Sequence, residues 1–96
     1  MKVLFYAEAI NEVIETANYY ESRQRGLGRL FDNEFESGLQ RIIERPQSWP
    51  KQFGEIRRYR LNRFPYGIFY RLDEGVLKVI AVAHLKRKPF YWIDRL

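Results

Sequence analysis

The sequence contains no cysteine, one histidine, one methionine and four prolines in 96 residues. Without cysteine there are no disulfides, thiolate nucleophiles or thiolate metal ligands, and the composition fits a reducing cytosol. No cluster of His, Asp and Glu has metal-ligand spacing, and no Ser–His–Asp arrangement is available. No cofactor is expected, and any catalysis is expected to be metal-free. The glycines supply no phosphate-cradling motif, since neither Gly26 with Gly28 nor the stretch Phe64–Gly67 has the required pattern. Long apolar runs are missing as well. No stretch approaches the roughly 20 apolar residues that span a bilayer. The opening MKVLFYAEAINEV reaches Glu8 too soon for a signal-peptide core. A cytoplasmic location with no membrane partner is therefore expected. No repeat, low-complexity segment or linker interrupts the chain, whose length suits one domain over residues 1–96.

What the chain does have is an uneven charge. Residues 56–96 carry ten Lys/Arg against three Asp/Glu, a balance of +7, whereas residues 1–55 carry seven against nine, a balance of −2. The basic part also holds Tyr59, Phe64, Tyr66, Phe69, Tyr70, Phe90, Tyr91 and Trp92. Cations that neutralise phosphates, beside rings on which bases stack, suit RNA or DNA as a partner.

The periodicities predict α+β. Residues 2–6 read as a strand. Ile10, Val13, Ile14, Ala17 and Tyr20 recur at helical spacing and predict one buried face, with Glu8, Glu12 and Glu15 on a solvated face near the helix start. Gly26 and Gly28 mark a turn. A second helix aligns Leu27, Leu30, Phe31, Phe35, Leu39, Ile42 and Ile43 and stops before Pro46. Residues 46–55 read as a loop. Strands follow at 56–61, 65–73 and 76–85, the last two joined by Asp73-Glu74-Gly75. The expected fold is an N-terminal strand and helical hairpin packed on a mostly antiparallel four-stranded sheet.

Pairing across Asp73–Gly75 is expected to set Tyr66, Ile68 and Tyr70 opposite Val82, Ile80 and Lys78, on the side the helices cover along with Tyr59 and Leu61. The other side then presents Arg58, Arg60, Gly67, Phe69, Arg71, Ala81, Ala83 and Leu85. Small residues beside arginines predict a shallow basic depression. Arg58 and Arg60 point the same way, and their guanidinium forks suit phosphate or simply form a solvated strand face. His84 is either a general acid–base or a hydrogen-bonded residue ending a strand. Tyr91 and Trp92 beside Lys86–Lys88 either stack a base or pin the tail to the sheet.

Four segments together, EAINEVIETANYYE, GLGRLFDNEFESGLQRIIERP, RRYRLNRFPYGIFYRLDEG and VLKVIAVAHLKRKPFYW, resemble the RelE/ParE family of toxins from type II toxin–antitoxin systems. The resemblance spans almost the whole chain and implies that family's α+β fold, toxicity to the host cell and a cognate antitoxin, often with an acidic wrapping segment. The RelE branch implies an endoribonuclease that cleaves mRNA on the translating ribosome. Arg58 and Arg60 match its basic pair and Tyr91 its tail tyrosine, while Gly67 stands where an arginine follows the strand tyrosine. Leu85 stands at a further basic position, with His84 and Arg87 close by. The resemblance therefore implies a catalytic set of Arg58, Arg60, His84, Arg87 and Tyr91. Attack of a ribose 2′-hydroxyl on phosphate would be stabilised by the arginines, with His84 or Tyr91 moving protons. The spacing of His84 and Arg87 is also similar to that of ParE-type chains, which implies the alternative: a non-enzymatic inhibitor of DNA gyrase. A basic RNA-binding module without a toxin role is a third reading.

Overall fold

The computed structural model describes residues 1–96. The chain opens with β1 (Lys2–Phe5) and passes directly into α1 (Ala7–Arg23), whose N-cap residue, Tyr6, makes no side-chain capping bond. Gly26, at φ 87°, makes the left-handed turn into α2 (Leu27–Glu44). No Ser, Thr, Asp or Asn caps α2. Instead Glu21, reaching across the turn from α1, accepts the N–H groups of Gly26 and Gly28 at 3.0–3.1 Å. No helix is long and apolar enough to cross a membrane.

The remaining strands are β2 (Lys51–Phe53), β3 (Ile56–Arg60), β4 (Tyr66–Asp73) and β5 (Val76–His84). They form a five-stranded sheet in the order β1-β5-β4-β3-β2, with β1 parallel to β5 and the other neighbours antiparallel. The fifth strand is β2, inside the segment expected to be a loop. Three residues between Pro50 and Gly54 are too few for a periodic signal, yet Lys51 and Phe53 pair with Arg57 and Ile56.

The register departs from expectation twice. Asp73 pairs with Val76, so the turn contains only Glu74 and Gly75, both at positive φ (50° and 78°), as a two-residue hairpin turn requires. Beside this turn the pairing is one residue off, which puts Val79 rather than Ile80 or Lys78 on the helix side, opposite Tyr70. Ile80 is then an extra residue in a β-bulge, and beyond it the parity is restored, with Ile68 opposite Val82 and Tyr66 opposite His84. Ile80 accordingly packs on the outer face with Ile56, Ala81 and Trp92.

The main core lies between helices and sheet. Phe31, Phe35, Leu39 and Ile42 of α2 meet Tyr59, Leu61, Ile68, Tyr70, Leu77, Val79 and Val82. Val13, Ala17 and Tyr20 of α1 join them as expected, but Ile10 and Ile14 do not: they are 45% and 52% exposed. The helix is rotated so that Ala9 and Thr16 turn inward, and Glu12 turns with them toward β5.

Gly38 sets how closely α2 approaches β3. A Cβ there would lie 2.8 Å from Tyr59 Cε1 and 3.2 Å from Leu61 Cδ2. The Tyr59 ring has little freedom to give way, because Arg41 Nη1 donates to its hydroxyl at 2.7 Å and Trp49 packs edge-on against it. Gly38→Val is therefore expected to destabilise the fold by about 2 kcal/mol through overpacking, helix propensity being nearly balanced between the two residues. Urea unfolding measures this, and an unchanged midpoint would contradict the close approach.

Candidate functional site

The outer face of the sheet carries the expected residues. Arg58 and Arg60 alternate with the inward Tyr59 and Leu61, and the β3–β4 register sets them opposite Phe69 and Gly67. Gly67 determines the pose of Arg58. A Cβ on Gly67 would lie 3.0 Å from both Cγ and Cδ of Arg58, so the arginine's stem runs flat across the glycine. A cationic side chain at position 67 would displace Arg58 rather than add to it. Arg58 Nε is buried and has no hydrogen-bond partner. Arg60 is exposed and makes no ion pair, while Arg71 lies 3.7 Å from Asp73 in a cluster with Lys78 at the hairpin end.

The rest of the depression is filled by the chain's own tail. Trp92, 1% exposed, packs on Phe69 at 5.6 Å between ring centroids and closes over Ile56, Ile80 and Ala81. Between tail and sheet remains a pocket of about 180 Å³ that includes Arg58, Arg87 and Lys88.

Glu12 holds the tail in place. Its carboxylate accepts the Tyr91 hydroxyl at 2.6 Å, Arg95 Nη2 at 2.8 Å and Nη1 at 3.0 Å, and the Val82 backbone N–H at 3.0 Å. Arg87 Nη1 stands 3.6 Å away and its guanidinium lies over the Tyr91 ring at 3.6 Å. Arg95 also donates to the Ile80 carbonyl at 3.0 Å. The arrangement follows from topology. The β1–β5 pairing ends at Phe5–Val79, so the β5 edge beyond it lacks a partner strand, and Glu12 and Arg95 satisfy its free Val82 N–H and Ile80 C=O. Burial pushes the Glu12 carboxyl up, but the bonds from Arg95, Tyr91 and Val82 outweigh it and leave its pKa below the ordinary value. The glutamate expected on a solvated face is thus a half-buried anchor.

Four of the five candidate catalytic residues, Arg58, His84, Arg87 and Tyr91, line the one pocket, but their functional groups are differently engaged. Arg58 and Arg87 share the pocket, and Arg60 stands on the same sheet face. His84 reaches the pocket rim, but its ring packs against Tyr66 at 5.2 Å, on the helix-covered side, and its Nδ1 accepts the Lys86 N–H at 3.0 Å. It sits between Ala83 and Leu85, which face outward, so the pleat directs it away from Arg58. Tyr91 is at the pocket, but its hydroxyl is committed to Glu12. Burial and that bond both raise the Tyr91 pKa well above the usual phenol value, against the smaller pull of Arg95 and Arg87. Arginine does not deprotonate. The site can stabilise an oxyanion, while the acceptors near its cations are engaged: Glu12 by Arg95, Tyr91 and the Val82 N–H, and His84 Nδ1 by the Lys86 N–H. No group of three or more His, Asp or Glu side chains is placed to hold a metal ion.

With this geometry in view, the comparisons with known proteins are specific. The family model of the ParE toxin of type II toxin–antitoxin systems, parDE, matches residues 3–89. The chain belongs to that family, within the RelE/ParE toxins. Among solved structures it is similar to a chain of the chromosomal ParDE toxin–antitoxin system from P. aeruginosa, with a TM-score of 0.65 and 11% identity over 88% of this chain and 95% of that one. At that identity the likeness shows the fold. No curated protein matches the sequence.

Removing the Glu12 charge tests the anchor. Glu12→Ala leaves Arg95 partly buried without its counter-ion and is expected to cost about 3 kcal/mol, lowering the melting temperature by more than about 10 °C in a chain of this size. Because the Glu12 pKa is depressed in the folded state, its contribution is complete above the ordinary value of 4.5 and is lost as pH falls through the folded value. The stability difference between wild type and Glu12→Gln should shrink on acidification below pH 4.5. A difference constant from neutrality to pH 3, followed by calorimetry, would contradict an ionised anchor.

Proposed function

We propose that this ParE-family toxin acts on DNA gyrase without cleaving RNA, and that its cognate antitoxin holds it in check. One observation carries the reading: the groups that could act as a base near the outer-face arginines are engaged elsewhere, since the His84 ring packs on Tyr66 with its Nδ1 bound to the Lys86 N–H, and the Tyr91 hydroxyl is bound to Glu12. The family match to ParE, and the likeness to a chain of a ParDE system, lend support in the same direction. Transfer of a phosphodiester to a 2′-hydroxyl needs proton removal as well as charge stabilisation. Binding to a protein target needs neither.

The mRNA-endonuclease reading retains one supporting feature, the meeting of Arg58, His84, Arg87 and Tyr91 at a single pocket. For that reading Tyr91 must leave Glu12 on the ribosome and act as the base while its cationic neighbours lower its pKa.

The two readings differ in what His84 and Tyr91 do. Loss of a proton shuttle lowers cleavage by roughly 10²–10⁴-fold. Growth arrest on induced expression is expected to persist in His84→Gln and Tyr91→Phe. The purified protein is expected to inhibit gyrase supercoiling while primer extension on translated mRNA shows no new cuts. Codon-phased cuts that disappear in Tyr91→Phe would overturn the gyrase assignment.

A further inference from the structure

We infer that two copies of this chain pair through their helical layers across a twofold axis, with the apolar cleft of each hairpin covered by Ile10 and Ile14 of the other copy. The inference does not depend on which target the toxin has.

The hairpin is tight at its turn and open at its other end. At the turn a Cβ on Gly28 would lie 2.6 Å from the Ala17 carbonyl oxygen, and Glu21 ties the two helices together. Further along, a cleft of about 160 Å³ lies between the helices and the end of β1. Phe5, Ile10, Val13, Ile14 and Phe35 line it, and no polar side chain does. The roll of α1 that aims Glu12 at β5 leaves Ile10 and Ile14 on the rim, 45% and 52% exposed. Two branched aliphatic side chains one turn apart, beside an apolar cleft, form a surface that gains by being covered.

Charge identifies the occupant. Residues 56–96 carry a balance of +7 and residues 1–55 one of −2, so two copies repel through their basic faces and approach most readily through the helices. Within the helical layer the pattern is self-complementary. Arg29 and Glu36 are exposed, and neither takes part in an ion pair within the chain. Seven residues separate them, so they share one side of α2, about 10 Å apart. Arg29 lines the groove beside α1, and by that spacing Glu36 borders the same groove. Because Gly28 stands beside Ala17 and the helices run antiparallel, the midpoint of Arg29 and Glu36 is level with the midpoint of Ile10 and Ile14. A twofold axis at that level sets Arg29 of each copy against Glu36 of the other, giving two ion pairs at the rim of an apolar centre. A basic helix from another protein would fill the cleft and leave Arg29 without a partner.

Sedimentation equilibrium over a concentration series tests this on the intact chain, with circular dichroism to verify the fold of each variant. The wild type is expected to pass from monomer to dimer. Ile14→Lys alters an exposed position, so it keeps the fold, and it is expected to weaken the dimer about a hundredfold. Arg29→Glu and Glu36→Arg each bring like charges together and are expected to weaken it about tenfold. The double variant Arg29→Glu/Glu36→Arg is expected to restore wild-type association. A wild type that stays monomeric at every concentration would overturn the proposal, including one whose cleft takes up an antitoxin helix instead. So would a double variant that associates no more tightly than its single parents.

Discussion

The organisation of the outer face depends on one carboxylate. Glu12 projects from α1 past the end of the β1–β5 pairing and gathers Val82 N–H, Tyr91 Oη and the Arg95 guanidinium around two oxygen atoms. It therefore links the helical layer, the bare edge of β5 and the tail. A half-buried carboxylate is costly to desolvate, and only a full set of donors offsets that cost. The same requirement explains the roll of α1: directing Glu12 at β5 leaves Ile10 and Ile14 in solvent.

From this link follows the chemistry available on the sheet. With Tyr91 donating to Glu12, the tail contributes cations and rings while its phenol is engaged. With Gly67 beneath Arg58, the sheet contributes one fixed guanidinium where a second cation would clash. The face is shaped to bind anions, and its groups able to move a proton, Tyr91 and His84, are held in other hydrogen bonds. That division is consistent with membership of the ParE family and lies behind the gyrase assignment proposed for the chain.

Much of the fold was legible because it is written in periodicity. The α2 stripe, the α+β class and the outer-face set of Arg58, Arg60, Gly67, Phe69, Ala81 and Ala83 follow from spacings of 3.6 and 2 that tertiary packing left undisturbed. The register was less accessible. Glu74-Gly75 as a two-residue turn and Ile80 as a bulge each shift the pairing by one, and their combined shift of two restores the faces beyond Ile80, so errors in turn length and bulge position cancelled at Arg58 and Gly67. β2 left no signal because only three residues lie between its breakers.

The site was less legible than the fold. Glu12 looked like one of several early glutamates on a polar helix face. The available signal was the small pair Ala9 and Thr16, three and four residues to either side, which marks the true inward stripe. Nothing local could show that Tyr91 meets a residue 79 positions away. The most direct test is the Glu12 carboxyl itself, followed by carbon-13 chemical shift against pH in the intact protein. A midpoint below the ordinary 4.5, moving upward in Tyr91→Phe, is predicted. A midpoint at or above 4.5 would mean that the donors are not in place, that Tyr91 is free, and that the account of a tail phenol engaged by Glu12 is wrong.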